Sequence, residues 1–171
     1  MPGIVLFFLA LAALIAESVF LEVFSVQIWA LQTPLVIAIY LGLDRQFVAG
    51  GLVLTALVFP VEWLVGGIVG VYSLGLAAVF LSLQMIRSNV QQVWGFARGA
   101  IAAMAAIAHG LVVLVLLFLL GEGGTRLSAT VGWQMWLGAL VVAPLTVIVG
   151  KGFARLDAMM DPRSGNTELE F

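Results

Sequence analysis

Long apolar runs, separated by short polar connections, occupy almost the whole chain. A helix needs about 20 mainly apolar residues to cross a bilayer. Six runs approach that length, and they cover approximately residues 3–20, 28–43, 47 to 59 or 64, 71–86, 99–120 and 130–149. The pattern predicts an all-α, polytopic membrane protein folded as a compact bundle of six transmembrane helices.

The composition strengthens this prediction. Hydrophobic residues make up 63% and charged residues 9% of the 171 residues, whereas soluble domains carry about 25% charged residues. The chain has no cysteine, which excludes disulfides and thiolate metal sites. Its net charge of -2 gives no indication of a nucleic-acid partner. The first run lacks the basic residues that open a secretory signal, so we expect it to remain as a span.

Basic residues are distributed unevenly among the connections. In a six-span arrangement one side of the membrane carries six of the seven Lys and Arg residues, and Arg126 lies on the other side. The six are Arg45, Arg87, Arg98, Lys151, Arg155 and Arg163. Because basic connections stay inside, both termini are expected in the cytoplasm. We expect residues 1–155 to form the transmembrane domain and residues 156–171 to form a short flexible cytoplasmic tail.

One apolar segment, residues 59–76, contains an unusual set of polar and small residues. A carboxylate such as that of Glu62 is costly at membrane depth unless it is paired or hydrated. Gly66 and Gly70 are one helical turn apart, a spacing that lets a neighbouring backbone approach closely. The candidate residues for partner binding or helix packing are Glu62, Trp63, Gly66, Gly70 and Tyr72.

The sequence shows no arrangement that predicts a catalytic, cofactor or metal site. His109, the single histidine, is either a proton relay or a neutral imidazole bonded to a nearby helix. The second interpretation is favoured because its run contains no other ionisable residue. Glu17 and Glu22 lack the third group that acid–base catalysis would need, and we interpret them as solvated acids at the membrane interface. We therefore expect a protein that is not an enzyme and holds no cofactor.

The segment 59–76 resembles the signature of the MreD family, the small integral membrane proteins of the bacterial rod-shape machinery. Glu62 stands where that family more often has Asp, and Gly66 and Gly70 take its two glycine positions. Tyr72 falls where a His or a similar residue is common. The proline that the family usually has between the two glycines is absent here.

The resemblance extends to residues 31–43 and 138–157, which are similar to the family's second and last spans. It implies a scaffold in the bacterial plasma (inner) membrane that binds MreC and acts with MreB and the RodA–PBP2 synthase pair. Such a scaffold helps to organise peptidoglycan synthesis and cell shape. The family is similar in fold to the substrate-binding subunits of energy-coupling-factor vitamin transporters. The alternative function is therefore a solute-binding subunit of a transporter for a vitamin or another small molecule.

Overall fold

The computed structural model describes residues 3–23, 32–65, 70–90, 96–120 and 125–160. Within these ranges the chain forms six α-helices and no strand. The helices are α1 (Gly3–Val23), α2 (Thr33–Asp44), α3 (Phe47–Val65), α4 (Val71–Val90), α5 (Phe96–Leu119) and α6 (Thr125–Met160). The prediction of an all-α fold is confirmed.

Four of the described helices, α1, α3, α4 and α5, are long and apolar enough to cross a membrane. Large apolar side chains such as Phe8, Leu52 and Leu111 are exposed on them, and a bilayer covers surfaces of this kind. Helix α2 and residues Gly138–Phe153 of α6 are shorter apolar segments. For these four helices, the predicted length and apolar character of a membrane span are confirmed.

Helix α2 lies at the centre of the bundle. Every residue from Pro34 to Leu43 is buried, and α2 packs against each of the other five helices. Pro34 suits the first turn because the N–H that it lacks has no acceptor within the helix at that position. The 12 residues of α2 measure about 18 Å, less than the roughly 30 Å of a bilayer's hydrocarbon core. Residues 24–31, where the second run was predicted to begin, lie outside the described residues.

Helix α6 is longer than the apolar pattern indicated. It contains 36 residues, which correspond to about 54 Å at 1.5 Å per residue. Pro144 lies inside it. Residues 156–160, which were expected to begin a flexible tail, form its last turns, and residues 161–171 lie outside the described residues. The helix therefore passes the domain boundary predicted at residue 155.

Basic residues from several connections meet at one end of the bundle, which we call the basic end. Arg87 Nη1 donates a hydrogen bond to the Arg45 carbonyl oxygen at 2.8 Å. Arg98 forms an ion pair with Asp44, and a Cβ added to Gly150 would lie 3.7 Å from Arg98 Cζ. The basic end comprises Arg45, Arg87, Arg98, Lys151 and Arg155. These are five of the residues that the sequence placed on one side of the membrane.

Candidate functional site

Glu62 joins the end of α3 to the beginning of α4. Its Oε2 accepts a hydrogen bond from the Gly70 N–H at 2.8 Å. Its Oε1 accepts one from the Ser73 N–H at 3.0 Å and another from the Ser73 hydroxyl. The first N–H groups of a helix have no acceptor within the helix, and the helix dipole favours negative charge at that end. The carboxylate is therefore a cap for α4 that the preceding helix supplies.

Glu17 makes the same kind of contact between α1 and α2. Its Oε1 accepts from the Gln32 N–H and its Oε2 from the Thr33 N–H, both at 2.9 Å. The interpretation of Glu17 as a solvated acid is wrong, because the side chain is half-buried and holds the start of the central helix. Glu22, in contrast, is exposed. We call the end of the bundle that contains the two capped junctions the acid-capped end.

Sequence reasoning missed the pairing of Glu17 with α2. The carboxylate and its first amide partner are 15 residues apart, and the periodicity of an apolar helix does not specify such a contact. One signal was present: Thr33 and Pro34 mark a helix start, and an acid lies near the end of the preceding run. The free N–H groups at a helix start bind carboxylates. An acid near the end of the preceding run therefore indicates a candidate cap for the next helix.

Trp63 points away from the bundle. Its side chain is 91% exposed, while the neighbouring Glu62 is half-buried against α4. Phe59, one turn earlier on α3, is exposed on the same face. Trp63 therefore lies at the end of an apolar stripe that is available to lipid or to another membrane helix, with its indole beside the acid-capped end.

Gly70 has a different role from the one predicted. It lies in the turn before α4, not inside a helix, and a Cβ added to it would meet none of the described residues within 4 Å. Close helix packing therefore does not explain the glycine. Its φ of 98° does, because L-residues with a side chain are strained in that region. Gly66, the other predicted packing position, lies outside the described residues.

Tyr72 and His109 meet inside the bundle, where α4 contacts α5. Their ring centroids are 4.9 Å apart and the rings are nearly perpendicular, at 77°. Only 8% of His109 is exposed. Gly75 leaves room for the imidazole, since a Cβ there would lie 2.9 Å from both Cδ2 and Nε2 of His109. His109 therefore packs in a notch that the missing side chain of Gly75 creates.

These contacts limit what the side chains can do chemically. The carboxylates of Glu17 and Glu62 already accept hydrogen bonds from backbone amides. Nε2 of His109 is buried and has no hydrogen-bond partner within the described part of the chain. In the same ranges no group of three His, Asp or Glu side chains comes together to hold a metal ion. The contacts of Glu17, Glu62 and His109 connect neighbouring helices to one another.

In the described part of the chain, the fold is all-helical, four helices are long and apolar enough to cross a membrane, and acidic side chains link successive helices. Comparison with family models, curated proteins and solved structures found no match for this chain.

Proposed function

We propose that this chain is a non-enzymatic scaffold of the MreD type, a six-span protein of the bacterial inner membrane with both termini in the cytoplasm. In this role it binds MreC and acts with MreB and the RodA–PBP2 synthase pair. It helps to organise peptidoglycan synthesis and cell shape. The proposal rests on the resemblance of segment 59–76 and of two further spans, and on the contacts of the acidic side chains.

The observation that supports a scaffold most directly is the engagement of the acids at the acid-capped end. A solute-binding subunit needs several fixed polar groups that face its ligand. Here the carboxylates of Glu17 and Glu62 face backbone N–H groups instead. The exposed surface beside them is apolar, and it includes Trp63. Such a surface is suited to contact with another membrane helix, where aromatic side chains contribute strongly to binding.

We expect the chain, purified in mild detergent, to retain a co-expressed MreC protein and no small molecule. Replacing Trp63 by Ala should reduce the recovered MreC several-fold, because the aromatic side chain with the largest exposed fraction among the described residues is lost. Replacing Trp136, another exposed tryptophan, by Ala is the matched control and should leave recovery unchanged. The measurement is the MreC-to-chain ratio after affinity capture, with retained helix content confirmed by circular dichroism.

Two results would contradict this proposal. If the wild-type chain does not retain MreC, the proposed scaffold function is contradicted. Measurable binding of a vitamin-sized molecule, or recruitment of an ATPase pair, would support the transporter subunit instead.

The six-span topology draws support from two observations. The acid-capped end lies where α1 and α3 end, and the basic end lies where α2 and α4 end, as expected if helices cross alternately in each direction. Basic residues favour the cytoplasmic side. Helix α2 is short, but it is enclosed by the other five helices. Because the surrounding helices face the lipid, α2 does not have to be as long as the hydrocarbon core is thick.

The absence of cysteine makes this topology testable with single substitutions. We expect Lys151→Cys to react with a membrane-impermeant thiol reagent only after the cells are opened. Glu22→Cys should react in intact cells whose outer membrane has been made permeable. Both residues are exposed. Labelling of both positions from the same side would overturn the alternating arrangement.

A further inference from the structure

The exposed face of α6 changes from apolar to basic along its length. At 100° per residue, Leu140, Pro144, Ile148, Lys151 and Arg155 fall within about a quarter of the helix circumference. All five are exposed, and Leu140 and Ile148 are 73% and 65% exposed. The buried residues Ala139, Val142 and Thr146 lie on the other side of the helix, toward the bundle. We call the exposed set the α6 stripe.

The two cations of the α6 stripe differ from the rest of the basic end. Arg87 donates to the Arg45 carbonyl, and Arg98 pairs with Asp44. Within the described ranges no hydrogen bond or ion pair engages Lys151 or Arg155. They are four residues apart, so their side chains start from one face of the helix about 6 Å apart. Two neighbouring cations at this spacing suit a single phosphate group, which both can contact.

The dimensions of the α6 stripe match one leaflet of a bilayer. Leu140 and Ile148 are eight residues apart, or about 12 Å along the helix. An acyl chain occupies about 15 Å, half of the hydrocarbon core. Arg155 follows Ile148 by about 10 Å, at the depth of the headgroup. An exposed apolar face that ends in two neighbouring cations therefore complements the shape and charge of an anionic phospholipid.

We propose that the α6 stripe binds an anionic phospholipid, with an acyl chain along Leu140, Pro144 and Ile148 and the phosphate between Lys151 and Arg155. Charge complementarity selects the anionic headgroup, since a zwitterionic lipid carries its own compensating cation. Each basic residue near a membrane surface contributes about 1 kcal/mol of attraction to anionic lipid. The proposal depends on the membrane setting and on α6 alone, and it holds whether or not the chain binds MreC.

The experiment compares phosphatidylglycerol with phosphatidylcholine of identical acyl chains, added to the delipidated chain and counted by native mass spectrometry. We expect the wild-type chain to retain phosphatidylglycerol roughly thirtyfold better than phosphatidylcholine, because two cations at about 1 kcal/mol each contribute about 2 kcal/mol. The variant Lys151→Ala/Arg155→Ala should bring the ratio to within about twofold. The variant Lys151→Arg/Arg155→Lys keeps both charges and should preserve the preference.

A relocation control separates the α6 stripe from a general effect of charge. Ala97 and Ala100 are exposed near the start of α5, at the same end of the bundle. Adding Ala97→Lys/Ala100→Lys to the double-alanine variant restores the net charge away from the α6 stripe and should leave the preference lost. Equal retention of the two lipids by the wild-type chain would overturn the proposal. So would a preference that survives the double-alanine change or returns with the relocated lysines.

Discussion

Replacing Glu62 by Gln should destabilise the chain by about 2–4 kcal/mol, although the substitution barely changes the size of the side chain. The carboxylate accepts three hydrogen bonds, from Gly70 and from the backbone and hydroxyl of Ser73. An amide offers one oxygen, and its NH₂ group would face an N–H donor. The charge that complements the α4 dipole is lost as well. The measurement is unfolding in detergent, followed by circular dichroism.

Two further substitutions complete this experiment. Glu17→Gln tests the second capping acid, and Glu22→Gln is the control. Glu17 caps the central helix through two backbone amides, so its substitution should cost a similar amount. Glu22 lies on the same helix as Glu17 and is exposed. Its substitution should change stability by no more than about 0.5 kcal/mol. Equal effects of Glu62→Gln and Glu22→Gln would show that the capping contacts contribute nothing to stability.

Replacing Gly75 by Ala should destabilise the chain by about 1–3 kcal/mol, even though alanine is the better helix former. The new Cβ would lie 2.9 Å from the His109 ring and 3.2 Å from Val113 Cγ2. The imidazole cannot yield easily, because it is buried and its ring lies edge-on to Tyr72. Helices α4 and α5 would have to separate at this crossing. Gly152→Ala is the matched control, because a Cβ at this helical position would lie more than 4 Å from the rest of the described chain, and it should be neutral or slightly stabilising.

A double-mutant cycle tests whether His109 is the obstacle. His109→Ala alone should destabilise the chain, since it empties a buried site. In the presence of Gly75→Ala, however, the same change should relieve the clash. The two substitutions should therefore cost less together than the sum of their separate effects, by at least about 1 kcal/mol. Simple additivity would mean that the Gly75 notch does not accommodate the imidazole.

The sequence predicted the helices well because an apolar run in a membrane protein leaves little choice of structure. Without water, the backbone must form its hydrogen bonds within the segment. The run predicted from 47 to either 59 or 64 matches α3 at its longer limit, and the run predicted at 71–86 lies within α4. The end of α6 was predicted less well. Lys151 and Arg155 interrupt the apolar run, but they do not break the helix, which continues to Met160.

The candidate site shows why side-chain roles were harder to predict. Glu62 was singled out as an unusual residue, but its hydrogen-bond partners depend on how α3 and α4 turn toward each other. Gly70 was assigned to close packing because its spacing from Gly66 suggested one helix face. The glycine is explained by its positive backbone φ angle in the turn, and the spacing of glycines along the sequence does not predict that angle. His109 was expected to contact a nearby helix, but Gly75 was not identified as its neighbour, since the facing residue depends on the crossing of α4 and α5.

The enclosed position of α2 has a consequence for how the chain is made. The ribosome synthesises α2 directly after α1, whereas α6, one of the helices that surround α2, is synthesised after the other five described helices. Until then, part of the most interior segment faces either lipid or the insertion machinery. The Glu17 contact joins α2 to the helix synthesised just before it. This contact can thus hold α2 against α1 while the helices that later enclose α2 are still being translated.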